Sequence, residues 1–175
     1  MILQALLFFL FSKGLFFSPE ATTVLNNEKA PKAFAVVSGK SYKFIADTVA
    51  YKKMLKDGLL AKTDVTLNKV EIVKQLTLGD KKEFYYVMAS SKDGTYKIAK
   101  WLNKKGNSFY VNNALAAGDL FEQSYLTCIG DGSCGPQVYQ VKDQRLWGCS
   151  EDIRCYKPGF VVENCKSAKT ILDLE

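Results

Sequence analysis

From Leu67 onward the apolar residues recur at every second position, and no other feature of the chain restricts its fold as strongly. Val70, Ile72, Leu76 and Leu78 fall on one side of an extended segment, with Glu71, Gln75 and Thr77 on the other. A period of two marks a half-buried strand, whereas a helix would repeat every 3.6 residues. Gly79-Asp80 supplies a turn and residues 84–89 run back. Asp93-Gly94 turns the chain into residues 96–102, and Lys105-Gly106-Asn107 leads into residues 109–111. Gly, Asn and Asp tolerate the backbone angles of tight hairpin turns. The pattern predicts a four-stranded antiparallel meander.

Upstream, Asp47 is placed to cap a helix whose apolar stripe is Ala50, Tyr51, Met54 and Leu55, with Gly58 as its stop. One short helix of about ten residues is expected. Residues 34–44 hold two short apolar stretches around Ser38-Gly39-Lys40-Ser41 and read as a strand leading into that helix.

All five cysteines lie in the last third, at Cys128, Cys134, Cys149, Cys155 and Cys165. The first four form two copies of one spacing, CIGDGSC and CSEDIRC. Zinc knuckles use closer pairs and redox motifs use C-x-x-C, so this spacing favours structural disulfides, with no metal or cofactor expected. Asp131 and Asp152, one in each copy, read as solvated turn aspartates. Residues 134–149 read as a hairpin turning at Lys142-Asp143. Nested bonds Cys134 with Cys149 and Cys128 with Cys155 would both have positions summing to 283, as antiparallel partners require. Two small loops, Cys128 with Cys134 and Cys149 with Cys155, are the rival. On either pairing Cys165 is the candidate free thiol.

The fold class is therefore α+β: a four-stranded antiparallel meander with one short helix, plus a disulfide-stapled C-terminal β-hairpin. Residues 34–120 form the α+β domain, and the Cys-rich segment 121–175 packs on it. Ahead of them, residues 2–11 are an apolar run broken only by Gln4, short for a membrane span of about 20 residues and suited to a signal-peptide core. Residues 1–21 are read as a signal peptide and 22–33 as a linker or arm; a retained anchor and a buried helix are the alternatives. Disulfides persist in oxidising compartments, so leader and cysteines together point to export, whether periplasmic, cell-surface or extracellular.

The chain has no histidine among its 175 residues, which excludes Ser-His-Asp and Cys-His catalysis and His-containing zinc sites. Its formal charge is +6, and residues 32–105 carry sixteen lysines against seven carboxylates. With only Arg145 and Arg154 as arginines, the planar forks that read phosphates and bases are scarce, so specific nucleic-acid recognition is not expected. Lys81, Lys82, Lys104 and Lys105 at the turns are candidate contacts for an anionic surface. Trp101, Tyr139 and Trp147, with Tyr85 and Tyr110, are candidate aromatic contacts for another exported protein.

The order of a helix, a strand, Gln75-Leu76-Thr77-Leu78-Gly79 and a returning strand from Phe84 resembles the cystatins, whose first inhibitory hairpin carries Q-x-V-x-G. Thr77 stands where that motif has Val, and the family's Pro-Trp pair has no counterpart. The resemblance implies a protease-inhibiting turn at Gln75, Thr77 and Gly79. The overall plan of apolar leader, Lys-rich meander and Cys-rich hairpin also resembles small uncharacterised secreted bacterial proteins. The leading expectation is a noncatalytic exported binding or interaction protein. A cystatin-like cysteine protease inhibitor and an enzyme working without histidine are the alternatives.

Overall fold

The structure, a computed structural model, describes residues 32–111, 120–141, 144–149 and 165–172. The leader, residues 22–31 of the arm, Lys142, Asp143, Asp152, Arg154 and Cys155 lie outside these residues.

The alternation read from the sequence builds three long neighbouring strands, β3 (Leu67–Leu76), β4 (Glu83–Ser91) and β5 (Tyr96–Lys105). They pair antiparallel in chain order, and β6 (Ser108–Tyr110) pairs with the end of β5. The meander is part of a larger sheet. Residues 34–44, expected to run from strand into helix, instead form a hairpin of β1 (Ala35–Ser38) and β2 (Ser41–Phe44), turning at Gly39 with φ +60°. Only glycine enters that left-handed region readily, which makes Ser38-Gly39-Lys40-Ser41 a turn. β1 then pairs with β6.

The far edge of β5 is divided between two partners. Its end, residues 103–105, takes β6, while residues 96–100 take β7 (Tyr125–Gly130), which continues to β10 (Cys165–Thr170). Four of the eight strands of this sheet, β1, β2, β7 and β10, were thus not anticipated as members of it. Their shortness is the reason: four to six residues give too few alternations to read.

Helix α1 (Thr48–Leu59) starts as expected, with Asp47 Oδ1 accepting the N–H groups of Val49 at 2.8 Å and Ala50 at 3.1 Å. It continues through Gly58, where the missing side chain serves packing, since a Cβ would stand 2.9 Å from Leu172. Its buried face, Tyr51 and Leu55, covers one side of the sheet together with Tyr85, Val87 and Ala89 of β4. Full burial of a side chain such as Leu55 contributes about 1.5–3 kcal/mol. The intervening residues of β4, Phe84, Tyr86 and Met88, point to the opposite side. The sheet therefore needs a cover on each face, which explains why β4 reads as almost continuously apolar.

The second cover is the hairpin of β8 (Pro136–Val141) and β9 (Gln144–Cys149), together with α2 (Leu120–Gln123). Its pairs, from Pro136 with Cys149 to Val141 with Gln144, have positions summing to 285, two more than nested disulfides demand. The register pairs Cys149 with Pro136 and leaves Cys134 beyond the paired strands, so the cysteines find partners elsewhere. Cys128 on β7 bonds Cys149, and Cys134 bonds Cys165 at the start of β10, with Cα separations of 5.5 and 5.2 Å. Neither pairing expected from the spacing occurs. Cys165 is bonded and not free, leaving Cys155 as the odd cysteine by count.

Candidate functional site

Between the hairpin and the edge of the sheet lies a trough of about 380 Å³. It forms because the sequence alternates on β9: Trp147 points inward and is 4% exposed, whereas Leu146 points outward and is 38% exposed. Trp147 and Phe121 stack with ring centres 5.1 Å apart and make the floor. The indole N–H of Trp147 donates to the Phe121 carbonyl at 3.1 Å, so this buried polar group is satisfied. Leu120, 68% exposed, and Ile171, 42% exposed, join Leu146 along the rim. Three large apolar side chains exposed around one concavity are unusual for surface that has nothing to bind.

Two cations border the trough. The Arg145 guanidinium lies 5.0 Å from the Trp101 ring centre and 5.1 Å from that of Phe121, and one of its nitrogens is 3.3 Å from Glu122 Oε1. Glu122 also accepts from Asn103 Nδ2 at 2.8 Å, so Arg145 is held in place with its charge largely offset. Lys169, exposed on β10, has no carboxylate partner among the described residues. A second depression, of about 720 Å³, lies between the α1–β3 connection and the β4–β5 turn and includes Asp64, Asn68, Asp93 and Tyr96. Asp93 is engaged there: its Oδ1 accepts from Ser91 Oγ and the Thr95 N–H, which hold its carboxyl below the usual range.

Lys100 was missed by sequence reasoning because its place in β5 looks like one more strand lysine. It points to the helix side of the sheet, 1% exposed, with Nζ donating to the Gln123 carbonyl at 2.5 Å and standing 4.7 Å from the Tyr125 ring centre. Burial pushes its pKa down to about 8, opposed by the charge of Glu122. Burial likewise pushes Tyr125 up to about 12 and raises Tyr51, whose hydroxyl has no hydrogen-bond partner among the described residues. Such an amine is chemically poised but enclosed.

The candidate aromatic contacts are mostly core. Trp101, Trp147 and Tyr85 are buried because each falls on a core-facing position of its strand; Tyr139 is buried too, although it pairs with Leu146 on the other face of the hairpin, and only Tyr110 is partly exposed. The turn lysines do gather at one end of the sheet, but they are not equivalent. Lys82 lies 3.2 Å from Asp80 and Lys81 sits at a turn with φ +59°. Lys104 leans 5.3 Å over Tyr85 on the helix side, and Lys105 lies 5.9 Å from Tyr110 on the other.

The cystatin-like turn is built into the fold. Thr77 is buried, its hydroxyl donates to Asp80 Oδ1, and the Lys82 N–H donates to Thr77 Oγ1 at 2.9 Å. The Leu78 N–H donates to Val138 O at 2.8 Å and Leu78 O accepts from the Gln140 N–H at 2.9 Å. Both backbone groups of Leu78 are thus paired with β8. Asp131, read as a turn aspartate, closes its turn by accepting from the Ser133 N–H at 3.0 Å and from its hydroxyl. The following loop is fixed by Lys97, whose Nζ donates to the carbonyls of Gly132 and Cys134, each at 2.8 Å.

No protein-family model, curated protein or solved structure matches this chain.

Proposed function

We propose that the chain is a noncatalytic exported binding protein whose trough takes a ligand with an apolar chain and a carboxylate. The observation that carries this reading is the exposed ring of Leu120, Leu146 and Ile171 around the Trp147 and Phe121 floor, with Lys169 beside it. Apolar walls with a small number of placed polar groups are the usual composition of a small-molecule site, and about 380 Å³ falls in the range of roughly 300–1,000 Å³ for such sites. Lys169 favours an anionic end group, because a lysine without a local carboxylate attracts one from the ligand. Noncatalytic action fits the enclosure of Lys100, whose pKa burial lowers to about 8. Export draws support from the two disulfides, which are compatible with an oxidising environment.

The test is a titration with dodecanoate and with dodecanol, read by intrinsic tryptophan fluorescence. Both tryptophans of the chain lie in this aromatic cluster. Saturable binding that prefers dodecanoate, and loses that preference in Lys169→Ala, is the expected result. Absence of saturable binding, or binding indifferent to Leu146→Asp, would remove the proposal.

A further inference from the structure

The antiparallel registers align Lys105, Ser108, Val36 and Lys43 in one row across β5, β6, β1 and β2. The adjacent row, Lys104, Phe109, Ala35 and Phe44, faces the helix side, where Phe109 and Ala35 are fully buried. Side chains alternate between faces, so the row of Lys105 and Lys43 lies on the opposite, outward face, with the paired Ser38 and Ser41 two positions further along. Lys40 occupies the turn beside them.

None of these four strands contains an Asp or Glu, and neither do the turns at residues 39–40 and 106–107. Lys40, Lys43 and Lys105 are exposed and have no carboxylate partner among the described residues. Some exposed lysines elsewhere are answered locally: Lys53 by Asp57 at 2.5 Å, Lys69 by Glu71 at 2.8 Å and Lys74 by Glu83 at 2.5 Å. This face thus carries three exposed lysines and no carboxylate on its strands or turns, an arrangement invisible in the linear charge count.

We propose that this face binds an acidic polysaccharide. Strands are about 4.8 Å apart, which sets Lys43 roughly 14 Å from Lys105. That exceeds the screening length of about 8–10 Å near physiological salt, so the two act as separate sites and suit a chain with repeated carboxylates or sulfates better than one compact anion. Between them the row offers the Ser108 hydroxyl, with Ser38 and Ser41 alongside, groups that match sugar hydroxyls. Single-stranded nucleic acid needs aromatic platforms for its bases, and Tyr110 is the one aromatic at the outward positions. A bilayer surface would be met by exposed large apolar side chains, which these outward positions lack.

The test is calorimetric titration at low salt with heparin and with polygalacturonate. The triple variant Lys40→Glu, Lys43→Glu, Lys105→Glu should weaken binding about tenfold or more, while Lys81→Glu, Lys82→Glu and the trough variant Leu146→Asp stay within about twofold. Circular dichroism confirms that each variant is folded, and Lys43→Ala with Lys105→Ala replaces the triple variant if it is not. No binding of either polymer, or equal loss in the Lys81/Lys82 pair, would overturn the proposal. So would equally tight, equally variant-sensitive binding of oligothymidylate or of phosphatidylglycerol vesicles. Because Leu146→Asp is an arm of the experiment, failure here leaves the reading of the trough standing, and the converse holds.

Discussion

Lys100 Nζ sits 2.5 Å from the carbonyl oxygen of Gln123, sealed beneath the sheet with Tyr125 and without an ion-pair partner among the described residues. Taking an ammonium out of water is costly unless it is fully paired, and here one carbonyl and one aromatic face do that work.

The pH dependence of stability follows from that burial. With a folded pKa of about 8 against the ordinary 10.5, Lys100 binds its proton more weakly in the folded chain than in the unfolded one. Below pH 8 the folded state carries the full cost; from pH 8 towards 10.5 it loses the proton first and stability rises, by about 3 kcal/mol over the whole window. Tyr51 and Tyr125, both raised by burial, act in the opposite direction only above about pH 10. Urea denaturation between about pH 7 and 9.5 should therefore show a rise that Lys100→Met abolishes, with the variant about 1–3 kcal/mol more stable at pH 7. A flat profile in the parent protein would contradict the burial of a lowered-pKa lysine.

Connectivity is the second prediction. Nonreducing peptide mapping should return Cys128 with Cys149 and Cys134 with Cys165, and Cys155→Ser should leave both bonds and the fold intact. Cys165→Ser should cost about 2–5 kcal/mol, the usual loss for a native disulfide. Recovery of Cys134 with Cys149 would mean that the hairpin register described above is wrong.

Gly79 supplies the third. Its φ is +115°, and an added Cβ would stand 2.6 Å from the Gln140 carbonyl oxygen, a backbone atom that has no room to yield. Gly79→Ala should lower stability by about 2 kcal/mol or more and loosen the junction of Leu78 with β8, seen as faster amide exchange at Gln140. A neutral Gly79→Ala would separate the turn from the hairpin and reopen its reading as a free edge.

The parts legible in the sequence were those with long periodicity or a specific cap. Residues 67–111 alternate long enough to declare three strands, and Asp47 declares the start of α1 through a single side chain. The tail was partly legible: the hairpin of β8 and β9 was expected, yet the cysteine spacing pointed to bonds within it. Disulfides answer to distance in space, and β7 and β10, which bring Cys128 and Cys165 to their partners, are too short to announce themselves. The trough was not legible at all. It is assembled from β9, α2 and β10, and the exposure of Leu146 beside buried Trp147 becomes informative only once all three are in place.

The central claim is that this trough is where the protein binds, and photolabelling tests it most directly. A fatty acid of about twelve carbons carrying a diazirine at its far end, irradiated with the protein and mapped by mass spectrometry, should mark Leu120, Leu146 and Ile171 or their immediate neighbours. Excess dodecanoate should suppress that label, and Leu146→Asp should abolish it. Label spread over the surface, or concentrated at Tyr96 and Asp93 in the other depression and unaffected by competitor, would contradict the account.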